Sequence, residues 1–129
     1  MPKILLIDDD PTVQNVFSQF LAKQGYEVLK ADNGRVGLDL LRASRPDLII
    51  TDIMMPEMDG LEILLHIRNT HDAIPIIAIS GGMRALPVNF LQQAKLFGAR
   101  YVFEKPVSLD VLHSAVKALV CDAGNSASD

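Results

Sequence analysis

The stretch Asp47-Leu48-Ile49-Ile50-Thr51-Asp52 constrains the fold more than any other part of the chain. Ile53-Met54-Met55-Pro56-Glu57-Met58-Asp59-Gly60 follows it, so an apolar run of strand length delivers one carboxylate, Asp52, into a loop holding a proline and a glycine. A short run rich in branched residues and bounded by turn residues reads as a strand buried on both faces. Cover on both faces implies flanking helices and a parallel sheet. Ligands of open α/β sheets sit just beyond the carboxyl ends of the strands, which is where Asp52 falls. Aspartate also starts ordinary turns, so the other strand ends must decide what Asp52 is for.

Taken in order, Lys3-Ile4-Leu5-Leu6-Ile7 is a first buried strand that stops at Asp8-Asp9-Asp10-Pro11. Asp10 before Pro11 reads as an N-cap with proline at the first helical position. Val13, Val16, Phe17, Phe20 and Leu21 then form a helical apolar stripe that Gly25 closes. Glu27 to Ala31 is a second strand, and Asn33-Gly34 turns the chain. A second helix runs to about Ala43 with Val36, Leu40 and Leu41 inward; Gly37 within it costs ~1 kcal/mol against alanine. Asp59 caps a third helix carrying Leu61, Ile63, Leu64, Leu65 and Ile67. Pro75 to Ser80 is a fourth strand, and Gly81 to Leu86 is a loop. Pro87 starts a fourth helix, Val88 to Phe97, with Gly98 as its C-cap. Tyr101-Val102-Phe103 is a fifth strand, and Ser108 caps a last helix with Val111, Leu112, Ala115, Val116 and Leu119 on one face. Five strands alternating with five helices, joined by right-handed crossovers, predict one doubly wound parallel sheet.

The 129 residues suffice for one domain and not for two. We expect residues 1–121 to form it and residues 122–129 to be a flexible C-terminal tail. A net charge of −4 gives no electrostatic reason to bind nucleic acid. No apolar run approaches the ~20 residues that span a bilayer, and the N-terminus lacks a signal-peptide layout. The single Cys121 allows no internal disulfide and suits a reducing cytoplasm. His66, His71 and His113 are scattered and share no ligand set.

All carboxyl ends of such a sheet lie on one side, so Asp8, Asp9, Asp52, Ser80 and Lys105 gather at one edge. Crowded carboxylates repel unless a cation neutralises them. Oxygen ligands suit Mg²⁺, which takes few protein carboxylates and keeps several waters. With a divalent ion and a lysine present, the edge can hold a phosphoryl group: Asp52 would be the nucleophile, Lys105 and the ion would offset charge, and the Ser80 hydroxyl would donate to a phosphoryl oxygen. Taken singly, Asp8 and Asp9 are turn residues, Ser80 a strand terminus and Lys105 a surface charge. Taken jointly, five such groups at four strand ends favour chemistry.

These residues carry a resemblance. Asp8-Asp9 after the first strand, Asp52 with Met55-Pro56 and Asp59-Gly60 behind it, Ser80, and Lys105-Pro106 resemble the receiver domains of two-component response regulators over residues 3 to 120. The resemblance implies a flavodoxin-like sheet of order 2-1-3-4-5. It implies phosphotransfer to Asp52 from a sensor histidine kinase or a histidine phosphotransfer protein, followed by slow self-dephosphorylation. Mg²⁺ is then held by Asp9 and Asp52, with Asp8 helping through water and the Met54 carbonyl completing the protein ligands. Output is implied through the face of the fourth helix, fifth strand and fifth helix, where a target protein or a second copy of the chain docks. Such a chain is a signalling phosphoacceptor and not an enzyme in the ordinary sense.

One position departs from that pattern. The aromatic usually found three residues before the lysine is Val102 here, and Tyr101, one residue earlier, points to the opposite face. We therefore expect the Gly81 to Leu86 loop to carry the conformational response. Two other functions compete. Asp8-Asp9-Asp10-Pro11-Thr12 also resembles the nucleophile motif of haloacid dehalogenase phosphatases, with Asp8 attacking. Against this, no acidic pair follows Lys105 on a further strand, no room exists for a cap domain, and Asp52 is left without a role. The remaining alternative is a docking module that keeps the fold without being phosphorylated.

Overall fold

The structure, a computed structural model, describes residues 2–52, 74–80, 99–104 and 107–128, without the side chains of residues 80, 104 and 121–128. In chain order the elements are β1 (Lys3–Ile7), α1 (Pro11–Lys23), β2 (Glu27–Ala31), α2 (Gly34–Ser44), β3 (Leu48–Asp52), β4 (Ile76–Ser80), β5 (Tyr101–Glu104) and α3 (Leu109–Ser128). The strands pair in parallel in the order β2-β1-β3-β4-β5, as predicted. The predicted third and fourth helices and the Gly81 to Leu86 loop lie outside the described residues.

Alternation along the strands splits the core in two. Ile4 and Leu6 of β1, Leu48 and Ile50 of β3, and Ile77 and Ile79 of β4 pack toward α1 and α3, meeting Phe17, Leu21, Leu112 and Val116. Leu5, Ile7, Ile49, Ile76 and Ala78 pack toward α2, meeting Leu38 and Leu41. A period of two points neighbours to opposite faces. The central strands are buried on both, so they read as unbroken apolar runs.

The caps agree with local chemistry. Asp10 Oδ1 accepts from the Thr12 amide at 2.9 Å and the Val13 amide at 3.4 Å, with Pro11 opening α1. Ser108 Oγ accepts from the Val111 amide at 3.4 Å at the head of α3. Asn33, predicted as a turn residue, is the N-cap of α2, its Oδ1 accepting from the Val36 amide at 2.9 Å. Gly25 takes φ 97°, a conformation that glycine adopts without Cβ strain.

Three valines are corrected. Val16, Val36 and Val111 belong to predicted apolar stripes, yet they are 44%, 38% and 48% exposed. Each flanks a stripe whose centre is taken by side chains buried against the sheet: Phe17 and Leu21, Leu38 and Leu41, Leu112 and Val116. On α2 the inward face turns to Leu38 and Leu41, because Gly37 sits against β1. A Cβ there would stand 2.5 Å from Ile7 Cδ1 and 2.8 Å from Ile7 Cγ1. The glycine that weakens the helix locally is what lets it approach the sheet. The backbone of α3 runs as helix from Leu109 to Ser128.

Candidate functional site

The carboxyl edge of the sheet is set by register. Ile7 of β1 pairs with Thr51 of β3, so the next residue on each strand, Asp8 and Asp52, stand side by side. Asp52 pairs with Ile79, which puts Ser80 one residue further along the neighbouring strand. Sequence spacing alone delivers a carboxylate to each strand end; the parallel register brings the two ends together.

Asp8, Asp9 and Asp52 each bring an oxygen to within 4.8 Å of the others. Asp8 is 1% and Asp52 3% exposed, whereas Asp9 is open to solvent. At this separation two ionised carboxylates repel by roughly 3 kcal/mol at an effective dielectric of about 20. Buried groups at that distance need a compensating charge. Oxygen-only donors, two buried and one at the mouth, fit a small hard cation that keeps part of its water.

The backbone around the acids is held at several points. The Asp8 amide donates to the Ala31 carbonyl at 3.0 Å, tying the end of β1 to the end of β2. The Asp10 amide donates to Asp8 Oδ1 at 2.8 Å. The buried Thr51 hydroxyl donates to the Asp52 carbonyl at 3.2 Å. Gln14 Nε2 donates to the carbonyls of Asp8 and Ala31. Neither Gln14 nor Thr51 stands out in the sequence, because a side chain bonding to a main-chain carbonyl leaves no periodic or motif signal.

Of the predicted site residues, Asp8, Asp9 and Asp52 are brought together. Ser80 closes β4 beside β3, with only its backbone described. Met54 and Lys105 lie outside the described residues. The His113 ring meets Phe20 edge-on at 5.7 Å and Tyr26 at 5.9 Å, packing α3 against α1 and the segment that follows it. Tyr101 and Val102 diverge as alternation predicts. Val102 packs on the α2 side, while Tyr101 is 37% exposed and stacks on Phe103 at 6.0 Å.

Fold and acidic edge define a class, and comparison with known proteins agrees with it. Residues 4–117 match the family described as the response regulator receiver domain, and the chain belongs to that family. It is 38% identical over 120 residues to the transcriptional regulatory protein AfsQ1 of Streptomyces coelicolor, covering 93% of this chain and 52% of that protein. It is 33% identical over 115 residues to sporulation initiation phosphotransferase F of Bacillus subtilis, covering 89% of this chain and 90% of that protein. The chain thus spans about half the length of AfsQ1 and nearly all of the second relative. Among solved structures, a CheY-like receiver domain protein from Methanospirillum hungatei superposes with a TM-score of 0.90 at 25% identity, covering 98% of each chain. A receiver domain protein from Clostridium thermocellum superposes at 0.88 with 28% identity, covering 96% of this chain and 98% of that one.

Proposed function

We propose that this receiver domain takes a phosphoryl group onto Asp52 in a two-component or phosphorelay pathway. A sensor histidine kinase or a histidine phosphotransfer protein donates it in the cytoplasm. The observation that carries the reading is the buried Asp52 at the end of β3, within 4.8 Å of Asp8 and Asp9. One oxygen of Asp52 forms the new bond to phosphorus as the bond to the donor imidazole nitrogen breaks, and the nitrogen keeps the electron pair. Asp9, Asp52 and the Met54 carbonyl would hold Mg²⁺, with Asp8 helping through water. The bound ion supplies charge neutralisation for the acids and the phosphoryl oxygens. Lys105 and Ser80 meet the remaining phosphoryl oxygens, as ion-pair partner and hydroxyl donor. Water later attacks phosphorus, releasing inorganic phosphate and restoring the carboxylate. The phosphorylated state presents a changed surface to a target protein or to a second copy of the chain.

The phosphatase alternative needs the Asp10 carboxylate beside a nucleophilic Asp8. In the structure Asp10 Oδ1 accepts from the Thr12 and Val13 amides as a helix cap. Labelling with acetyl phosphate and Mg²⁺ separates the readings. An acyl phosphate that Asp52→Asn abolishes supports the receiver reading. Steady turnover that survives Asp52→Asn and dies with Asp8→Asn supports the phosphatase. No adduct on any variant returns the chain to an unphosphorylated docking role.

A further inference from the structure

Gln14 lies in the first turns of α1, half-buried. Its side-chain amide donates to the Ala31 carbonyl at 2.7 Å and to the Asp8 carbonyl at 3.1 Å. An amide NH₂ has two hydrogens, so both are placed on main-chain acceptors. The Ala31 carbonyl also accepts the Asp8 amide at 3.0 Å, which fills its two lone pairs. The Asp8 carbonyl belongs to the planar peptide that joins Asp8 to Asp9. Fixing that oxygen fixes the plane from which Asp9 departs, and the Asp10 amide on Asp8 Oδ1 holds the far side. Asp9 is exposed, so little packing restrains it and the backbone sets the direction in which its side chain leaves the chain.

We infer that Gln14 is a positioning residue of the acidic site. By clamping the Asp8–Asp9 peptide to the end of β2, it holds the Asp9 carboxylate where a divalent cation needs it. The inference rests on the metal-dependent reading of the site given above. It differs from a plain structural latch between β1 and β2, which would affect stability and leave cation affinity alone. Partners that orient ligands from outside typically matter by a factor of ten or more in metal affinity.

Gln14→Met keeps the reach and the apolar stem and removes both donors. Mn²⁺ binding is counted from the free-ion electron paramagnetic resonance signal of the full chain, for wild type, Gln14→Met and Gln19→Met. Gln19 is exposed on α1 and serves as the control. Gln14→Met is expected to bind Mn²⁺ roughly tenfold more weakly, with Gln19→Met at the wild-type value. A lowered melting temperature with unchanged Mn²⁺ affinity overturns the inference. A second measurement needs no variant: in wild type, the Gln14 side-chain amide resonances should shift with the same Mg²⁺ midpoint as the Asp9 amide. Gln14 resonances that stay still while Asp9 moves overturn the inference and spare the metal site. A wild-type chain that binds neither ion overturns the site reading itself, and the inference falls with it.

Discussion

Asp8 and Asp10 stand two residues apart and take opposite roles, because one ends a strand and the other starts a helix. Asp8 is buried at the edge of β1 beside Asp52, while Asp10 is exposed and its carboxylate is turned onto the α1 amides. Losing such a cap costs ~1 kcal/mol. Asp10→Ala should therefore lower the urea midpoint by that equivalent and still leave Asp52 able to take a label. Arg45 gives a prediction of opposite sign. It holds φ 49° at the end of α2, with its amide on the Leu41 carbonyl at 3.1 Å. A left-handed conformation costs a non-glycine residue about 1 kcal/mol, and glycine commonly fills this position. Arg45→Gly should raise stability by somewhat less than that, since glycine loses more chain entropy on folding. The acids of the site were legible in the sequence because each ends an apolar run. Gln14 was not, because its acceptors are main-chain carbonyls, one of them that of Ala31 on β2.

At the scale of elements, the strands were legible almost to the residue, since branched runs bounded by Asp, Gly and Pro leave little choice. Among the described residues, the three helices were legible in place and less so in rotation. A stripe read at helical spacing counts every apolar residue alike, but the sheet selects the side chains that reach it. Leu38 and Leu41 outcompete Val36 on α2, and close approach at Gly37 decides the angle of contact. Gly37→Ala would normally favour a helix by ~1 kcal/mol. Here the added methyl meets the Ile7 side chain, which is 1% exposed and must shift within a packed core to admit it. Overpacking of this kind costs ~1–3 kcal/mol, so the variant should be less stable on balance in denaturant unfolding. Shortening Ile7 to valine should reduce the penalty, and the double-mutant cycle should show favourable coupling between positions 7 and 37.

For the whole molecule, the two-sided core explains why one edge can carry chemistry. Helices cover both faces of the sheet, leaving the carboxyl ends of β1 and β3 as the place where buried acids face outward together. The same alternation separates Val102 from the Tyr101–Phe103 stack, so the stack lies on the α1 and α3 side of the sheet. The departure from the usual aromatic was legible in the sequence; its stacking partner was not, since pairing of side chains on an edge strand depends on tertiary packing. We expect Tyr101→Ala and wild type to show the same phosphorylation-dependent amide shifts across Gly81 to Leu86. Shifts that vanish in the variant would assign the relay to Tyr101. The central claim is that Asp52 accepts a phosphoryl group with the help of a cation held by its acidic neighbours. The most direct measurement is peptide mapping by mass spectrometry after incubation with acetyl phosphate, in Mg²⁺ and in excess chelator. One added phosphoryl group on the peptide carrying Asp52, present with Mg²⁺ and lost with chelator, is the predicted result. A phosphoryl group on Asp8, or an unmodified Asp52 peptide in Mg²⁺, would contradict it.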